Sequence, residues 1–562
     1  MQQPERLNRF SPEPTLKYAS STLPSHRALR EVDRSHPPIA LNYQCDSNLR
    51  GVTHHHPPAV DYPDLPKTIA PNSTPSTLLP IHPSTLLPIH PPTHPSPRQG
   101  ATTMPTVPTL KAPILSQTIQ WILDPVRYLE GNFARYGDIF QGALSWGIAE
   151  PFVIVNEPKA VQYILTHDTG KEFTSPGDIN GILEPLIGRQ NVMLLSGNQH
   201  RRRRQLVMPP FHGDRLKAYG QTIQQITQAT IAEWPLDKAC DVRTIMQKIT
   251  MRVILQVVFG LSQGDRYEQL EQLLKIRLDL TSTPLTSAIV FLPWLQKDWG
   301  PWSPGRRIRQ LAEQTDALLF AEIRERRANP NPDRIDILSL LLAAKDENGN
   351  GLTDQDLRDE LMTLLVAGHE TTATALTWAL YWIHAQPEIK QKLLAELDTV
   401  SAPTDASSFL SLPYLGAVCN ETLRIHPVAM LTFPRRVEMP LELCGCQLTP
   451  GMLVMGSIYM IHQREDIYPE PQRFQPERFL ERQFSPYEFM PFGGGVRRCI
   501  GAALALYELK IALGTILTEL ELTLVNQRPV RPARRGVTLG QKTPVKVRKV
   551  ATRTPSKALV EV

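Results

Sequence analysis

The amino-acid sequence predicts a mainly α protein with a small β part, built as one large domain behind an N-terminal appendage. Helical apolar patterns dominate the chain after about residue 105, whereas strand-like runs are few. At 562 residues the chain exceeds one ordinary core. Its 52 prolines crowd at the N-terminal end, which favours one large domain with an appendage over several domains.

The N-terminal residues 1–104 are rich in Pro, His, Ser and Thr. They contain a tandem eight-residue duplication, Ser76–Pro83 followed by Ser84–Pro91. Such a composition cannot bury enough apolar surface to offset chain entropy, so we predict a disordered extension. Met104 stands just before the globular part, and translation from there is an alternative to translation from Met1.

The globular part begins with a proline-rich stretch, Pro105–Pro113, followed by a helix-like segment, Ile119–Tyr136, and a strand pair around Ile139–Val155. Farther on, Thr353–Asp356 resembles a capping box. It opens an apolar helix that runs to about Ala385 and stops before a proline. About thirty residues at about 1.5 Å each make a rod of roughly 50 Å. We therefore expect a central helix that crosses the whole domain.

The last third of the chain contains a second helix, several short strands and a helix after a glycine-rich loop. Prolines at its first turn and beyond its last residue bound the second helix at Pro413–Ile425. The later segments are the strand-like Ala429–Val437, Leu441–Cys446 and Leu453–Ser457 and the helix-like Ala502–Leu513. From about Lys546 the chain is basic and is predicted to fray, which gives a folded domain at 105–548 and a flexible tail at 549–562.

Composition and charge argue against several classes of function. A net charge of +5 with a pI of about 8.8 is too mild and too scattered to indicate nucleic acid as a partner. The six cysteines are sparse, as in a reducing compartment, and the close pair Cys444 and Cys446 indicates a strand turn rather than a zinc half-site. No apolar signal region and no run of 18 apolar residues occurs, so we expect a soluble, cytoplasmic protein without a membrane anchor.

The strongest candidate site is the stretch Phe492–Gly501. Three consecutive glycines permit a tight turn and a close approach to a flat partner, two arginines offer charge to an anionic group, and a single thiol, Cys499, precedes an apolar helix. Unpaired N–H groups and the dipole at a helix N-terminus favour a thiolate. A soft thiolate suits haem iron. The alternative is an inert, buried cysteine in a glycine turn.

Two further patterns interrupt the apolar periodicity of the predicted helices. In Ala367–Thr372, small, acidic and hydroxyl residues break the central helix, and a polar notch facing a ligand would offset the cost of about 1 kcal/mol for an interior glycine. A glycine that merely packs against another helix is the alternative. Glu421 and Arg424 share one helix face, and Arg478 downstream would complete a buried triad that pins a loop to that helix.

Together these stretches resemble the cytochrome P-450 superfamily of haem-thiolate monooxygenases. The family pattern Phe-x-x-Gly-x-Arg-x-Cys-x-Gly is matched by Phe492, Gly495, Arg497, Cys499 and Gly501. Residues 367–372 match Ala-Gly-x-Glu-Thr-Thr, residues 421–424 match Glu-x-x-Arg, and residues 476–479 match Pro-Glu-Arg-Phe. The resemblance covers roughly Pro105–Arg548. It implies the cytochrome P-450 fold, a single large haem domain with a long central helix, and haem b as the cofactor.

The resemblance also implies roles on the thiolate side of the haem. Cys499 would be the proximal iron ligand, Phe492 would shield its sulfur, and Gly501 would lie against the cofactor. Arg497 would meet a haem propionate, which suits its charge and fork geometry. Behind the haem, a structural triad would be formed by Glu421, Arg424 and Arg478.

The stretch Gly197–Leu206 resembles the family's haem-clamping helix, in which an aromatic donor and an arginine four residues later bind propionates. The donor position here holds His200, where Trp is commoner, and Arg204 follows one turn on. Imidazole also donates a hydrogen bond, so the replacement is compatible with the role. Arg435 is a further propionate candidate, and its neighbour Arg436 competes for that position.

On the oxygen side, the resemblance implies that Thr371 holds the water that delivers protons to dioxygen and that Glu370 links this water to solvent. An apolar, lipid-like substrate such as a fatty acid or terpenoid would be hydroxylated or epoxidised there. The loop preceding His200 would contribute to the pocket. Its other walls would be Val366, Ala367, Val428, Met430, Leu431 and Phe433.

The sequence contains no flavin- or iron–sulfur-binding pattern, so electrons would come from a separate protein. The basic residues Arg201–Arg204 and Arg497–Arg498 would offer a surface for an acidic ferredoxin or flavodoxin. Two alternatives keep the haem. A peroxide-driven peroxygenase or rearrangement enzyme would need no proton relay, which Glu370 and Thr371 argue against, and a non-catalytic haem-binding protein would form no product.

Overall fold

A computed structural model describes residues 105–144, 151–280, 292–400, 405–526 and 528–553. The predicted disordered extension, residues 1–104, lies outside the described residues together with its repeat and the alternative start at Met104. The end of the predicted tail, residues 554–562, lies outside them as well. All structural statements below concern the described ranges.

The described residues form sixteen α-helices, one of which is 32 residues long. They are α1 (Ile114–Leu123), α2 (Pro125–Tyr136), α3 (Pro158–Thr166), α4 (Glu184–Ile187), α5 (Gly197–Val207), α6 (Asp214–Ala232), α7 (Val242–Val253), α8 (Asp265–Asp279), α9 (Pro304–Ala328), α10 (Ile337–Ala343), α11 (Asp354–Ala385), α12 (Pro387–Leu397), α13 (Pro413–Ile425), α14 (Ile458–Ile461), α15 (Arg478–Glu481) and α16 (Ala502–Glu519). A π-helical turn, Ile254–Val258, extends α7.

The strands are short and lie in small sheets. They are β1 (Ile139–Gly142), β2 (Phe152–Val155), β3 (Phe173–Thr174), β4 (Ala239–Asp241), β5 (Arg435–Val437), β6 (Leu441–Leu443), β7 (Cys446–Leu448), β8 (Leu453–Gly456), β9 (Leu520–Leu524), β10 (Pro532–Arg535), β11 (Thr538–Gln541) and β12 (Lys546–Thr552). The largest sheet has the order β1-β2-β8-β5-β3, and only its β2–β8 pair is parallel. The mainly α prediction with a small β part is confirmed.

The central helix α11 organises the core. Thr353 and Asp356 form a reciprocal capping box at its start, and the helix ends at Ala385, as predicted. It packs against α7, α9, α13 and α16. Most of its residues are buried, including 357–363 and 372–381, and apolar members of both stretches belong to the largest hydrophobic cluster. Burial on all sides explains why its apolar residues do not form a single stripe.

The hairpin of β6 and β7 confirms the prediction for the close cysteine pair. Leu443 pairs with Cys446 across the hairpin, and the two turn residues, Cys444 and Gly445, both have positive φ angles. This is the backbone geometry of a two-residue hairpin turn. Within the described residues, no group of three or more His, Cys, Asp or Glu side chains is placed to hold a metal ion.

The predicted bounds of one helix near the start of the domain and of one strand in the last third of the chain are wrong. The segment Ile119–Tyr136 forms two helices, because the Asp124 side chain accepts the Arg127 N–H and Pro125 begins a new helix. The long strand predicted at Ala429–Val437 is reduced to its last three residues, Arg435–Val437. In both cases a local cap or a proline overrides the apolar pattern.

The predicted fraying from Lys546 is also wrong. Residues Lys546–Thr552 form β12, which pairs antiparallel with both β4 and β9. Val547, the second residue of this strand, is fully buried, although the residues around it are basic. The folded domain therefore continues beyond the predicted boundary at residue 548.

Among the described helices, none combines the length and the apolar character that a bilayer crossing would require.

Candidate functional site

The cysteine loop precedes α16 and is closed by its own backbone. The Cys499 N–H donates to the Phe492 carbonyl at 3.0 Å, and the Arg498 N–H donates to the Gly495 carbonyl at 3.1 Å. Gly493 and Gly495 have φ angles of 64° and 65°, a region that favours glycine. The glycines of the motif therefore serve the turn that presents Cys499.

The Cys499 side chain is accessible at the protein surface but surrounded by protein on its other sides. Desolvation raises the pKa of the thiol, while the Gly501 N–H and the guanidinium groups of Arg204 and Arg498 act in the opposite direction. The N–H at the helix terminus thus favours the thiolate, as predicted, but the larger effect of desolvation leaves the pKa of the thiol raised overall. Coordination to a metal cation deprotonates a thiol outright.

A cluster of cationic side chains adjoins the cysteine loop. Arg204, Arg435 and Arg497 lie near enough to His200 to disfavour its protonation, and desolvation together with these charges lowers the pKa of His200 to about 3. His200 is buried and neutral in this setting. We call these four residues the cation cradle. The structure thus brings together four residues that the sequence predicted as propionate ligands.

Arg435, rather than Arg436, belongs to the cradle. The side chains of β5 alternate, so that Arg435 is fully buried beside Arg497 and Arg436 is only half-buried. Arg435 donates to Asp168, to the Phe433 carbonyl at 2.6 Å and to the Gly494 carbonyl at 3.1 Å.

Most N–H groups of Arg497 are committed to the protein. They donate to the hydroxyl and carbonyl oxygens of Ser175, to the Val192 carbonyl and to the Leu195 carbonyl at 2.6–3.0 Å. A guanidinium has five N–H groups, so one remains for a ligand. The guanidinium also stacks over the Phe433 ring at 4.8 Å. Arg497 therefore ties two loops to the cradle in addition to supplying charge.

The donor set fits a haem. Within the described residues, the side chains of Arg204 and His200 make no hydrogen bond or ion pair, so both are free for a propionate. The half-buried apolar side chains of Phe492, Ile500 and Leu504 border the same loop. A single thiol beside cationic donors and apolar surface matches the chemistry of an iron porphyrin with two carboxylates.

Residues 366–371 of the central helix α11 are, except for His369, less buried than the residues that flank them. Ala367 is exposed there, and Val366, Gly368, Glu370 and Thr371 are half-buried, although the residues on either side are buried. The Thr371 hydroxyl donates to the Ala367 carbonyl one turn back. This stretch coincides with the residues that interrupt the apolar pattern, and a polar notch that faces a ligand stays a prediction.

Glu370 turns away from Thr371. Its carboxylate forms an ion pair with Arg243 of α7 and accepts from Gln247 Nε2 at 3.1 Å. Gly368 belongs to the same contact between helices, because a Cβ at this position would lie 3.2 Å from Ile254 Cδ1. The glycine is therefore a helix-packing residue, as the alternative interpretation held.

The predicted pocket residues fall into several apolar groups. Val366 and the half-buried Ile182, Leu186 and Met193 all pack against one buried cluster, and Met193 lies in the loop before His200. The members of that cluster are Ile122, Leu183, Ile187 and Leu194. The remaining predicted members are distributed elsewhere: Met430 and Leu431 pack with the cluster around β2, Val428 packs against the main core, and Phe433 lies under Arg497. The structure thus adds residues 182, 186 and 193, which no sequence motif marked.

The predicted triad forms and is buried. Arg424 donates to both carboxylate oxygens of Glu421 at 2.6 and 2.8 Å, and Arg478 Nε donates to the same carboxylate at 3.2 Å. Arg424 also donates to the carbonyls of His462 and Pro471 at 2.8 and 2.9 Å. These bonds attach the loop before the cysteine to α13.

The arginines of α5 differ in their surroundings, because some form ion pairs within the protein and others are exposed. Arg203 pairs with Asp356 and Glu360 of α11, and Arg202 pairs with Asp346. Arg201 and Arg498 are exposed. The structure therefore removes Arg203 and Arg497 from the predicted docking surface.

Sequence reasoning missed Asp168, Arg243 and Gln247. Each lies far along the chain from its partner, and none belongs to a motif. Asp168 follows α3 and is buried, and its partner Arg435 lies 267 positions away. Only the fold could reveal these pairs.

Comparisons with known proteins identify the family. A family model described as Cytochrome P450 matches residues 105–547. The putative cytochrome P450 135B1 of Mycobacterium tuberculosis is 35% identical over 445 residues, which are 78% of this chain and 91% of that protein. The putative cytochrome P450 138 of the same organism is 32% identical over 436 residues, which are 76% of this chain and 93% of that protein.

Solved structures share the fold. The retinoic-acid-bound cyanobacterial CYP120A1 superposes with a TM-score of 0.69 at 23% identity, covering 80% of this chain and all of that one. The haem domain of cytochrome P450DA superposes with a TM-score of 0.67 at 21% identity, covering 81% of this chain and 99% of that one.

Proposed function

The chain belongs to the cytochrome P450 family of monooxygenases, with haem b as its cofactor, and from this premise we propose its substrate class, its electron source and the roles of its site residues. The proposed reaction inserts one oxygen atom from dioxygen into an apolar, lipid-like substrate such as a fatty acid or terpenoid. Electrons come from a separate ferredoxin or flavodoxin. The observation that carries the proposal is that Val366 of α11 and three half-buried apolar side chains pack against one apolar cluster.

Cys499 holds the iron, and the cation cradle holds the propionates. Bound in this way, haem b supplies the activation of dioxygen, which thiolate donation assists. The free donors of Arg204 and His200 support their assignment to propionates, and the single uncommitted N–H of Arg497 supports a smaller contribution. Phe492 closes the loop through its carbonyl, which accepts the Cys499 N–H, and its ring shields the sulfur in this proposal. Glu421, Arg424 and Arg478 keep that loop on α13.

Thr371 positions the water that delivers protons, and Glu370 supplies protons from solvent. Thr371 already donates to the Ala367 carbonyl, so its oxygen is left as an acceptor for water. The Glu370 side chain is 17% exposed and tied to Arg243, so it reaches solvent at one edge of the helix. The proton path therefore requires Glu370 to leave Arg243 or to pass the proton through water.

The substrate side is apolar. Val366 of α11 and the half-buried Ile182, Leu186 and Met193 come from three segments of the chain, and all four pack against the same buried apolar cluster. A partly exposed apolar cluster gains from covering by an apolar molecule, at about 25 cal/mol per Å². This favours a hydrocarbon-rich substrate over a polar one.

Binding titrations test the substrate class. Fatty acids and terpenoids are expected to displace water from the haem and shift its absorption, and sugars or amino acids of similar size are expected to leave it unchanged. Product formation with an added reductase then identifies substrates among the binders. Spectral shifts confined to polar compounds would contradict the proposal.

Thr371→Ala is expected to uncouple electron use from product formation. A positioned proton donor contributes about 10²–10⁴-fold, so product should fall by roughly 10²-fold while reductant is still consumed and hydrogen peroxide rises. Thr377→Ala is the matched control, because Thr377 makes the same bond to a carbonyl one turn back but is fully buried. Equal coupling in the two variants would remove Thr371 from its proposed role.

Arg498→Glu is expected to weaken binding of an acidic ferredoxin by about tenfold at low salt, because it reverses an exposed charge beside Cys499. Added salt should weaken the wild-type complex steeply and the variant complex less. Arg135→Glu, at the exposed end of α2, is the control. If the complex is insensitive to salt and to Arg498→Glu, the docking surface lies elsewhere.

A further inference from the structure

Asp168 is a buried carboxylate that joins three parts of the haem side of the molecule. It follows α3 and is 6% exposed. Its Oδ2 accepts from Arg435 Nε at 2.9 Å, lies 2.8 Å from Arg435 Nη2, and accepts the N–H of Val496 at 3.1 Å. One carboxylate thus connects α3, the strand β5 and the cysteine loop.

We propose that Asp168 is a positioning residue for the haem, which fixes Arg435 against the cysteine loop and sets the net charge of the cation cradle. The proposal rests on the proposed haem site and adds a residue that touches neither iron nor substrate. Asp168 acts through Arg435 and through the backbone that carries Cys499.

The shape of the cysteine loop supports the positioning role. A Cβ on Gly495 would lie 2.3 Å from Asp168 Oδ2, 2.8 Å from the Leu165 carbonyl oxygen and 2.9 Å from Arg435 Nη2. Gly495 also has a φ of 65°. The loop therefore packs directly against the Asp168 carboxylate and leaves no space for a side chain at this position. This contact explains why the motif requires glycine four residues before the cysteine.

The charges of the cation cradle support the proposal that Asp168 sets the net charge of the cradle. Arg435 is fully buried, and a buried guanidinium is costly unless it is paired. With Asp168 counted, the guanidinium groups of Arg204, Arg435 and Arg497 balance two propionates and one carboxylate. Asp178 also lies near Arg497, but it is exposed, so solvent screens it. Removing the charge of Asp168 leaves the buried cradle with one excess positive charge.

The test compares full-length, haem-loaded variants. Asp168→Asn keeps the size of the side chain and removes its charge. The excess positive charge favours the reduced iron, so the midpoint potential is expected to become more positive. Haem transfer to apomyoglobin is expected to accelerate on the order of tenfold, because the clamp on Arg435 is weakened. The control is Asp466→Asn, an exposed partner of Arg464, which should change neither quantity.

A double variant, Asp168→Asn with Arg435→Gln, separates charge from structure. Its net charge equals that of the wild type, so its potential should return toward the wild-type value, and Arg435→Gln alone should shift the potential in the negative direction. If Asp168→Asn does not fold, the comparison between Arg435→Gln and the double variant still isolates the charge of Asp168. If Asp168 had a purely structural role, the midpoint potential of Asp168→Asn would not exceed that of the wild type. The potential of the double variant would likewise not exceed that of Arg435→Gln.

The potentials decide the outcome. If Asp168→Asn has the potential of the Asp466→Asn control, or if the double variant has that of Arg435→Gln, the proposal is overturned. Failure of the haem site itself is recognised separately, because the wild-type protein would then lack the red-shifted absorption band of a thiolate-ligated, reduced carbon monoxide complex.

Discussion

Replacing Cys499 with alanine is expected to abolish the red-shifted absorption band of the reduced carbon monoxide complex and to remove monooxygenase activity. The physical reason is that this band reports a thiolate ligand, and the cysteine loop presents one sulfur, that of Cys499, beside the cation cradle. Activity should fall to background, because thiolate donation is what favours O–O cleavage. The measurement is the difference spectrum of the reduced protein with carbon monoxide.

Cys240→Ala is the matched control for this experiment. Cys240 is a half-buried free cysteine in β4, and its replacement should leave the band intact. Haem should still bind the Cys499 variant weakly through the cradle, so a band at a different position is compatible with the assignment. A Cys499→Ala protein that keeps the red-shifted band would refute it.

Arg424→Met is expected to lower the free energy of unfolding by about 3–5 kcal/mol. Breaking a buried ion pair leaves an uncompensated charge, and this cost is of that size. Arg424 and Glu421 are both fully inaccessible to solvent, and Arg424 also satisfies the carbonyls of His462 and Pro471. Urea unfolding monitored by circular dichroism measures the change.

Arg473→Met provides the comparison, because Arg473 lies in the same loop but pairs with Glu470 at the surface. Exposed ion pairs contribute about 0–1 kcal/mol, so this variant should unfold almost like the wild type. Haem retention should follow the same order, since the triad holds the loop that leads to Cys499. Equal stability of the two variants would show that the triad does not hold this part of the fold together.

The parts of the fold that the sequence predicted well depend on local signals. The capping box at Thr353 and the prolines around Pro413–Ile425 act within one helical turn, so they define helix ends without reference to the rest of the chain. The cysteine motif is equally local. Its glycines, its thiol and the helix that follows are contiguous, and the family resemblance added the chemistry of the iron.

The parts that the sequence did not predict depend on contacts across the chain. Asp168 and Arg243 could not be assigned from the sequence, because only the fold places them beside their partners Arg435 and Glu370. The net pKa direction of Cys499 is similar, because desolvation depends on packed neighbours that no motif specifies. The prediction of a frayed end relied on the basic residues of this stretch. It was wrong because Val547, which lies among them, is buried in a strand.

Strand β12 has a consequence for how the protein is synthesised. It lies between β4 and β9, so the sheet that contains residues 239–241 is completed only by the last residues of the folded domain. A nascent chain on the ribosome cannot form this sheet until translation is almost finished, and until then β4 and β9 present unpaired edges. A protein shortened at the C-terminus before Lys546 would remain in that state, whereas an affinity tag placed after Thr552 would leave the sheet intact.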